Sequence, residues 1–202
     1  MSTFRDGPYS KSFKTISFDG NSSIPAVADL PISREMSTAL INAPTGSCVG
    51  WGIPLEINDV VAVFDQSFSV AIEPIVAQWL VFMHTSDIRL AIPAPGGFEL
   101  PSHGKGRLAE HAADYVILYA DGEEDRIAIR RLQQVGGFYP AILDKCFEAV
   151  ACHKPYPRQA AHERQTTEWG ASQWRVVQPD FVESWTSWLW AWRNPHPNKR
   201  IV

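Results

Sequence analysis

Indoles, imidazoles and carboxylates are the side chains best able to do chemistry in this sequence, so their spacing comes first. Eight tryptophans are many for 202 residues, and Trp185, Trp188, Trp190 and Trp192 crowd into one short run near the carboxy terminus. In an extended strand Trp188, Trp190 and Trp192 project to one face, while Trp185, Leu189 and Ala191 project to the other. An indole can stack on the apolar face of a pyranose, and its N–H can donate to a hydroxyl. Large aromatics also serve burial. Both faces of this run are apolar, so at least one must be covered by an opposing sheet or another domain. Trp169 and Trp174 lie beside loop-like sequence, where an open contact is easier. The candidate carbohydrate-contacting residues are therefore Trp169, Trp174, Trp188, Trp190 and Trp192.

The other reactive types are more scattered. His103 and His111 flank one loop, His153 and His162 flank another, and His84 ends an apolar run. Cys146, Cys152 and His153 form a Cys-x5-Cys-His series, which is not the spacing of paired ligands that structural zinc uses. No metal site is assigned to it, and His84 reads as a hydrogen-bonded core histidine. No Gly-x-Ser-x-Gly elbow is present. Ser102-His103-Gly104-Lys105 lacks the earlier glycine of a phosphate loop, since position 99 is Glu. Asp121, Glu123, Glu124 and Asp125 fall on a turn, where a charge cluster is solvated. Asp29, Glu56, Asp59 and Asp65 are dispersed, and glycosidase chemistry needs two carboxylates facing each other across a cleft. No catalytic residue is assigned.

The elements that must position these groups are short apolar runs divided by Gly, Pro, Asn and Asp, the pattern of an all-β chain. Residues 1–12 are polar and read as a flexible tail, leaving 13–202 as a single domain. Phe13–Phe18 is the first expected strand. Val49, Trp51, Ile53, Leu55 and Ile57 keep strict period two, which predicts a half-buried strand with Pro54 at an edge or bulge. Gln78–His84 is apolar on both faces and suits the middle of a packed sheet. Asp114–Tyr119, then Asp121-Gly122, then Arg126–Arg130 read as a hairpin, because Asp-Gly supplies the positive φ such turns need. Residues 93–106 and 153–165 read as loops, and 141–152 as one short helix with Ile142, Phe147 and Val150 on its apolar side. With hardly any helix, two packed antiparallel sheets bury the alternating faces most simply: a β-sandwich of jelly-roll type.

Composition narrows the function classes. Eighteen basic against 22 acidic residues give a formal charge of −4. That balance offers no electrostatic footprint for nucleic acid or an anionic membrane surface. No apolar run approaches the roughly 20 residues that span a bilayer. Three cysteines do not make a disulfide framework, and Met1–Asp6 carries no apolar signal segment, so a reducing, cytoplasmic setting is the expectation.

Five segments, in this order, carry a family resemblance: Ala28-Asp29-Leu30, Gly52–Ile57, Trp79–Thr85, Tyr119-Ala120-Asp121-Gly122 and Trp192–Ile201. Together they resemble the galactose-binding-like β-sandwich modules attached to bacterial glycoside hydrolases and related carbohydrate-active proteins. The likeness runs from about residue 13 to residue 202. It implies a non-catalytic accessory module that packs against an adjacent catalytic domain and contacts oligosaccharide at most at its edge. It also implies one module of a longer protein. Modules of this kind often carry a structural calcium, for which Asp19, Asn21 and Asp29 supply hard oxygen ligands. Two alternatives stay open: a true carbohydrate-binding module using Trp platforms, and a small stand-alone jelly-roll hydrolase or isomerase.

Overall fold

The computed structural model describes residues 7–88, 107–138, 146–152 and 185–202, together with the backbone of 159–160 and 176–177. In chain order the elements are β1 (Ser22–Ser23), a 3-10 turn (Pro25–Asp29), α1 (Arg34–Ala39), a second 3-10 turn (Leu40–Asn42), β2 (Gly46–Gly50), β3 (Ile53–Ile57), β4 (Asp59–Val60) and β5 (Ile75–Val76). Then follow β6 (Trp79–His84), β7 (His111–Leu118), β8 (Glu124–Arg130), β9 (Ala149–Ala151), β10 (Gln159–Ala160), β11 (Val176–Val177), β12 (Trp188–Arg193) and β13 (Arg200–Ile201). The chain is mostly strand, gathered into several small antiparallel sheets with few helices.

The Trp-rich run is the middle strand of the largest of these sheets, ordered β6-β12-β9. Its register sets Trp188 opposite His84, Trp190 opposite Phe82 and Trp192 opposite Leu80. Period-two alternation then puts Leu80, Phe82, His84 and the three indoles on one face. The β7–β8 hairpin covers that face. Ile129 and Val135 share a core cluster with Trp188 and Trp190, and Ala113, Tyr115 and Ile127 pack against it. Phe82 stacks on Trp190 with centroids 5.6 Å apart and planes 24° from parallel. Gly136 lies so close to the Trp188 indole that a Cβ there would collide with the ring. The opposite face is also apolar at β6. Met83 packs against a second cluster that holds Met36, Cys48, Ile57, Phe138 and Trp185. This two-sided burial is what the uninterrupted apolar run Gln78–His84 predicts.

The hairpin forms where Asp-Gly predicts it, with Gly122 at φ 88° and Tyr115 opposite Ile127. Other expectations need correction. Residues 49–57 are not one strand: β2 and β3 form a hairpin whose two-residue turn, Trp51 and Gly52, takes φ of 54° and 77°. Pro54 nonetheless sits on an edge, because among the described residues β3 pairs with β2 alone. Phe13–Phe18 is irregular chain, without a partner strand among the described residues. Of the short helix expected over 141–152, residues 141–145 lie outside the described residues, and at Ala149–Ala151 the chain forms β9 instead, which pairs with Trp188–Trp190. There a pairing distant in sequence overrides local preference, and Phe147 is exposed rather than buried. Conversely, α1 arises where no helix is expected. Ser33 is its N-cap and accepts from the Met36 N–H at 3.0 Å. The Asp87 carboxylate holds that cap from across the chain, accepting from the Ser33 N–H at 2.5 Å and its hydroxyl at 2.6 Å.

Residues 1–6 of the expected tail lie outside the described residues. Residues 7–12 are exposed, with the Ser10 N–H donating to the Gly52 carbonyl at 2.7 Å. The loop expected over 93–106 lies outside the described residues, as does 153–165 apart from Gln159 and Ala160, which pair with Val177 and Val176. No helix among the described residues is long and apolar enough to cross a membrane.

Candidate functional site

Among the described residues two places concentrate groups that could bind or react. The first is built by the Asp-Gly hairpin end and the carboxy-terminal segment. Tyr119 bridges to Ile201, the Ala120 N–H donates to the Arg200 carbonyl at 2.9 Å, and the Val202 N–H to the Leu118 carbonyl at 3.0 Å. These backbone contacts bring Tyr119-Ala120-Asp121-Gly122 against Asn194–Arg200.

Tyr119 is buried, and its hydroxyl lies 2.6 Å from Asp125 Oδ2 and 2.7 Å from Asn194 Oδ1. Its single proton can go to only one of these acceptors at a time. Burial raises the Tyr119 hydroxyl pKa, and the hydrogen bond to Asp125 and the surrounding carboxylates raise it further. Asn194, also buried, donates to the Ala77 and His196 carbonyls and accepts from the His196 N–H. His196 meets the Tyr119 ring edge-on, with centroids 5.4 Å apart. Lys199 closes the cluster by pairing with Asp121 at 2.7 Å and with Glu123. Those pairings raise the Lys199 pKa, and the hydrogen bond from Lys199 lowers that of Asp121. The groups that look reactive are thus committed to one another. Chemically, the arrangement clasps the hairpin to the chain end.

The second place is a half-open groove of about 330 Å3 between the chain leaving β4 and the connection before α1. Leu30 and Pro31 line it together with Ala62 and the stretch Phe64–Phe68. Asn21 anchors the loop through both ends of its amide: Nδ2 donates to the Ala62 carbonyl, and Oδ1 accepts from the Ala62 N–H, each at 2.8 Å. Gly20 is required beneath, because a Cβ there would meet the Val60 backbone. Phe64 and Phe68 are 46% and 42% exposed. Sequence reasoning missed this groove. Its only signal is two aromatics spaced by four in a stretch with neither strand nor helix periodicity.

The expected site residues are dispersed by comparison. Trp188 and Trp190 are buried under the hairpin, so neither can serve as an open stacking platform; this corrects their candidacy. Trp192 is partly buried and packs on the same core. Trp169 and Trp174 lie outside the described residues, as do His103, His153 and His162. His84 is a satisfied imidazole between sheet and hairpin: Nε2 faces the Gln134 carbonyl and Nδ1 the Tyr115 hydroxyl, both at 2.8 Å. A carbonyl only accepts, so Nε2 carries the proton and Nδ1 accepts from Tyr115. Burial depresses the His84 pKa to about 4 and lifts that of Tyr115 to about 12. His111 sits on an exposed surface 2.9 Å from Asp114 and lowers its pKa.

Cys152 is fully buried with its thiol 3.3 Å from the Met83 sulfur. Among the described residues no three His, Cys, Asp or Glu side chains gather to hold a metal ion. Asn21, one of the residues considered for calcium, is engaged with the Ala62 backbone. No family model, curated protein or solved structure matches this chain.

Proposed function

We propose that this chain is a non-catalytic accessory module of a carbohydrate-active protein of the glycoside-hydrolase type, built as a β-sandwich of jelly-roll kind. Its task is to pack against a catalytic domain. The observation that carries the reading is the clasp. Two of the segments on which the family resemblance rests, Tyr119–Gly122 and Trp192–Ile201, meet in space and saturate one another. Buried Tyr119 and Asn194 act there as fold determinants, with Lys199 pairing at the rim, which is the role an accessory module asks of them.

Two further features support it. The hairpin layered on the β6-β12-β9 sheet through Trp188 and Trp190 is the packing expected of two apposed sheets. On the other face of that sheet, which Met83 and Leu189 bury at its centre, Trp79 and Val150 stay exposed at separate edges, at 48% and 52%, and offer contacts to a neighbouring domain. Sugar stacking on Trp188 and Trp190 is not part of the proposal.

The test is to isolate the native protein that carries this chain and to compare its catalytic domain with and without it. The reading expects a glycoside-hydrolase domain in the same polypeptide or complex. Deleting this chain should hasten heat inactivation of that domain while leaving kcat on a small soluble substrate unchanged. A native protein with no such domain, or glycoside turnover by this chain itself, refutes the reading.

A further inference from the structure

We infer that the buried sulfur atoms of Cys152 and Met83, with Cys48 on the strand facing them, form a binding site for one copper(I) ion. The inference is independent of the accessory reading, because either can hold without the other. Of the chain's three cysteines and three methionines, two of each, Cys48, Cys152, Met36 and Met83, lie in or beside one core cluster. The fold brings them there from distant elements. Met83 pairs with Leu189, and the Cys152 N–H donates to the Ser187 carbonyl at 2.7 Å. Ser187 and Leu189 are two residues apart, so Met83 and Cys152 project from the same face of the β6-β12-β9 sheet, away from the hairpin. There the two sulfurs stand 3.3 Å apart, thiol toward thioether. β2 lies against them: a Cβ on Gly50 would be 3.2 Å from the Cys152 sulfur. Cys48, two residues earlier in β2, leaves the strand on that same side, and Met83 packs against the cluster that holds it. Cys146 packs instead with Trp188 and Trp190, so the linear Cys-x5-Cys series is divided between two places.

The donor set selects the ion. Thiolate and thioether sulfurs favour copper(I), whereas calcium and magnesium take oxygen ligands. Structural zinc draws four ligands from Cys, His, Asp and Glu, and among the described residues no three such side chains gather here. Charge points the same way. Burial penalises a lone thiolate, and a monovalent ion offsets that charge one for one. The Cys152 thiol gives its proton to solvent as the copper–sulfur bond forms, and the copper stays monovalent throughout. The Met83 sulfur adds a lone pair and no charge, and Cys48 supplies the third position. Metal–sulfur bonds of about 2.3 Å put two ligands of a trigonal ion about 4 Å apart. The pair at 3.3 Å therefore opens by about 0.7 Å, which the rotatable methionine side chain permits. Of the four sulfur residues Met83 alone is half-buried rather than buried, and it marks the way in.

The experiment is an anaerobic titration of the whole chain with copper(I), kept reduced by ascorbate, in competition with the chromogenic chelator bicinchoninate. The expected result is one copper(I) retained per chain, with only sulfur neighbours in its X-ray absorption spectrum. Copper(I) should also raise the denaturation midpoint of the wild-type protein, because the folded state holds the preformed site. Cys152→Ser should abolish both effects. Met83→Leu keeps the side-chain volume and should weaken binding at least about tenfold, since even outer-shell changes cost a metal site that much. It carries the test should Cys152→Ser fail to fold, and unfolding curves of every variant are the control. Cys48→Ser should likewise weaken binding, and Cys146→Ser should bind as the wild type does. Three results overturn the inference: no copper(I) retained by the folded wild-type chain; retention unchanged in folded Met83→Leu and Cys152→Ser; or binding lost in Cys146→Ser, which places the ion on the other thiol.

Discussion

Acid should destabilise this protein as pH falls from 6.5 toward 4, and His84 should be a principal cause. The imidazole sits between β6 and the hairpin with Nε2–H on the Gln134 carbonyl and Nδ1 accepting from Tyr115, parallel to Trp190 at 6.4 Å. Its pKa falls from 6.5 to about 4 because burial penalises the cation more than the Gln134 hydrogen bond favours it. The folded state therefore binds fewer protons than the unfolded chain between pH 6.5 and 4. Stability from the neutral ring is complete above pH 6.5 and is lost as pH falls toward 4. A shift of about 2.5 units integrates to about 3 kcal/mol between pH 7 and pH 4. Denaturant unfolding followed by tryptophan fluorescence measures this directly, since Trp188 and Trp190 flank the site. His84→Gln keeps an amide donor and acceptor but cannot titrate. The wild-type protein should lose about 3 kcal/mol more than this variant over that range. Parallel curves for the two proteins would refute the reasoning, as would a His84 resonance titrating near 6.5 in the folded state.

Other substitutions test the packing and the clasp. Gly136→Ala drives a methyl into the Trp188 indole and should cost about 1–3 kcal/mol by overpacking, read as a lower denaturation midpoint with unchanged m-value. Asp87→Ala strips the acceptor from the Ser33 N–H and hydroxyl and should cost about 2 kcal/mol, with the amides of Arg34–Ala39 exchanging faster. Asn194→Ala leaves the His196 N–H and the Ala77 carbonyl without their partner and should cost about 2–3 kcal/mol. Lys199→Met removes two partly exposed ion pairs, with Asp121 and Glu123, so its effect should be about 1 kcal/mol or less and should shrink at high salt.

The fold was legible in the sequence wherever its determinants are local. Asp121-Gly122 between β-branched runs announces the hairpin, and the gapless apolar run ending at His84 announces a strand packed on both faces beyond its exposed first residue, Trp79. The errors mark where neighbours in sequence are not neighbours in space. Val49 to Ile57 keeps period two straight through a turn because Trp51, exposed at the tip, occupies a left-handed conformation that glycine or asparagine usually fills. Val150 looks helical until its partner Leu189 is known. The clasp illustrates both cases: Tyr119 and Lys199 were visible as parts of motifs, but their contact depends on the pairing of Tyr119 with Ile201. Phe64 and Phe68 gave no periodic signal, since an irregular wall is shaped by its anchor at Asn21.

The account stands most directly on whether Tyr119 and Asn194 hold the chain together or act on a substrate. Purified protein and its Tyr119→Phe variant, assayed side by side for hydrolysis of a panel of aryl glycosides with unfolding curves in parallel, separates the two. The clasp predicts no turnover by either protein and a measurable loss of stability in the variant. Turnover by the wild-type chain that disappears in an equally stable variant would contradict it.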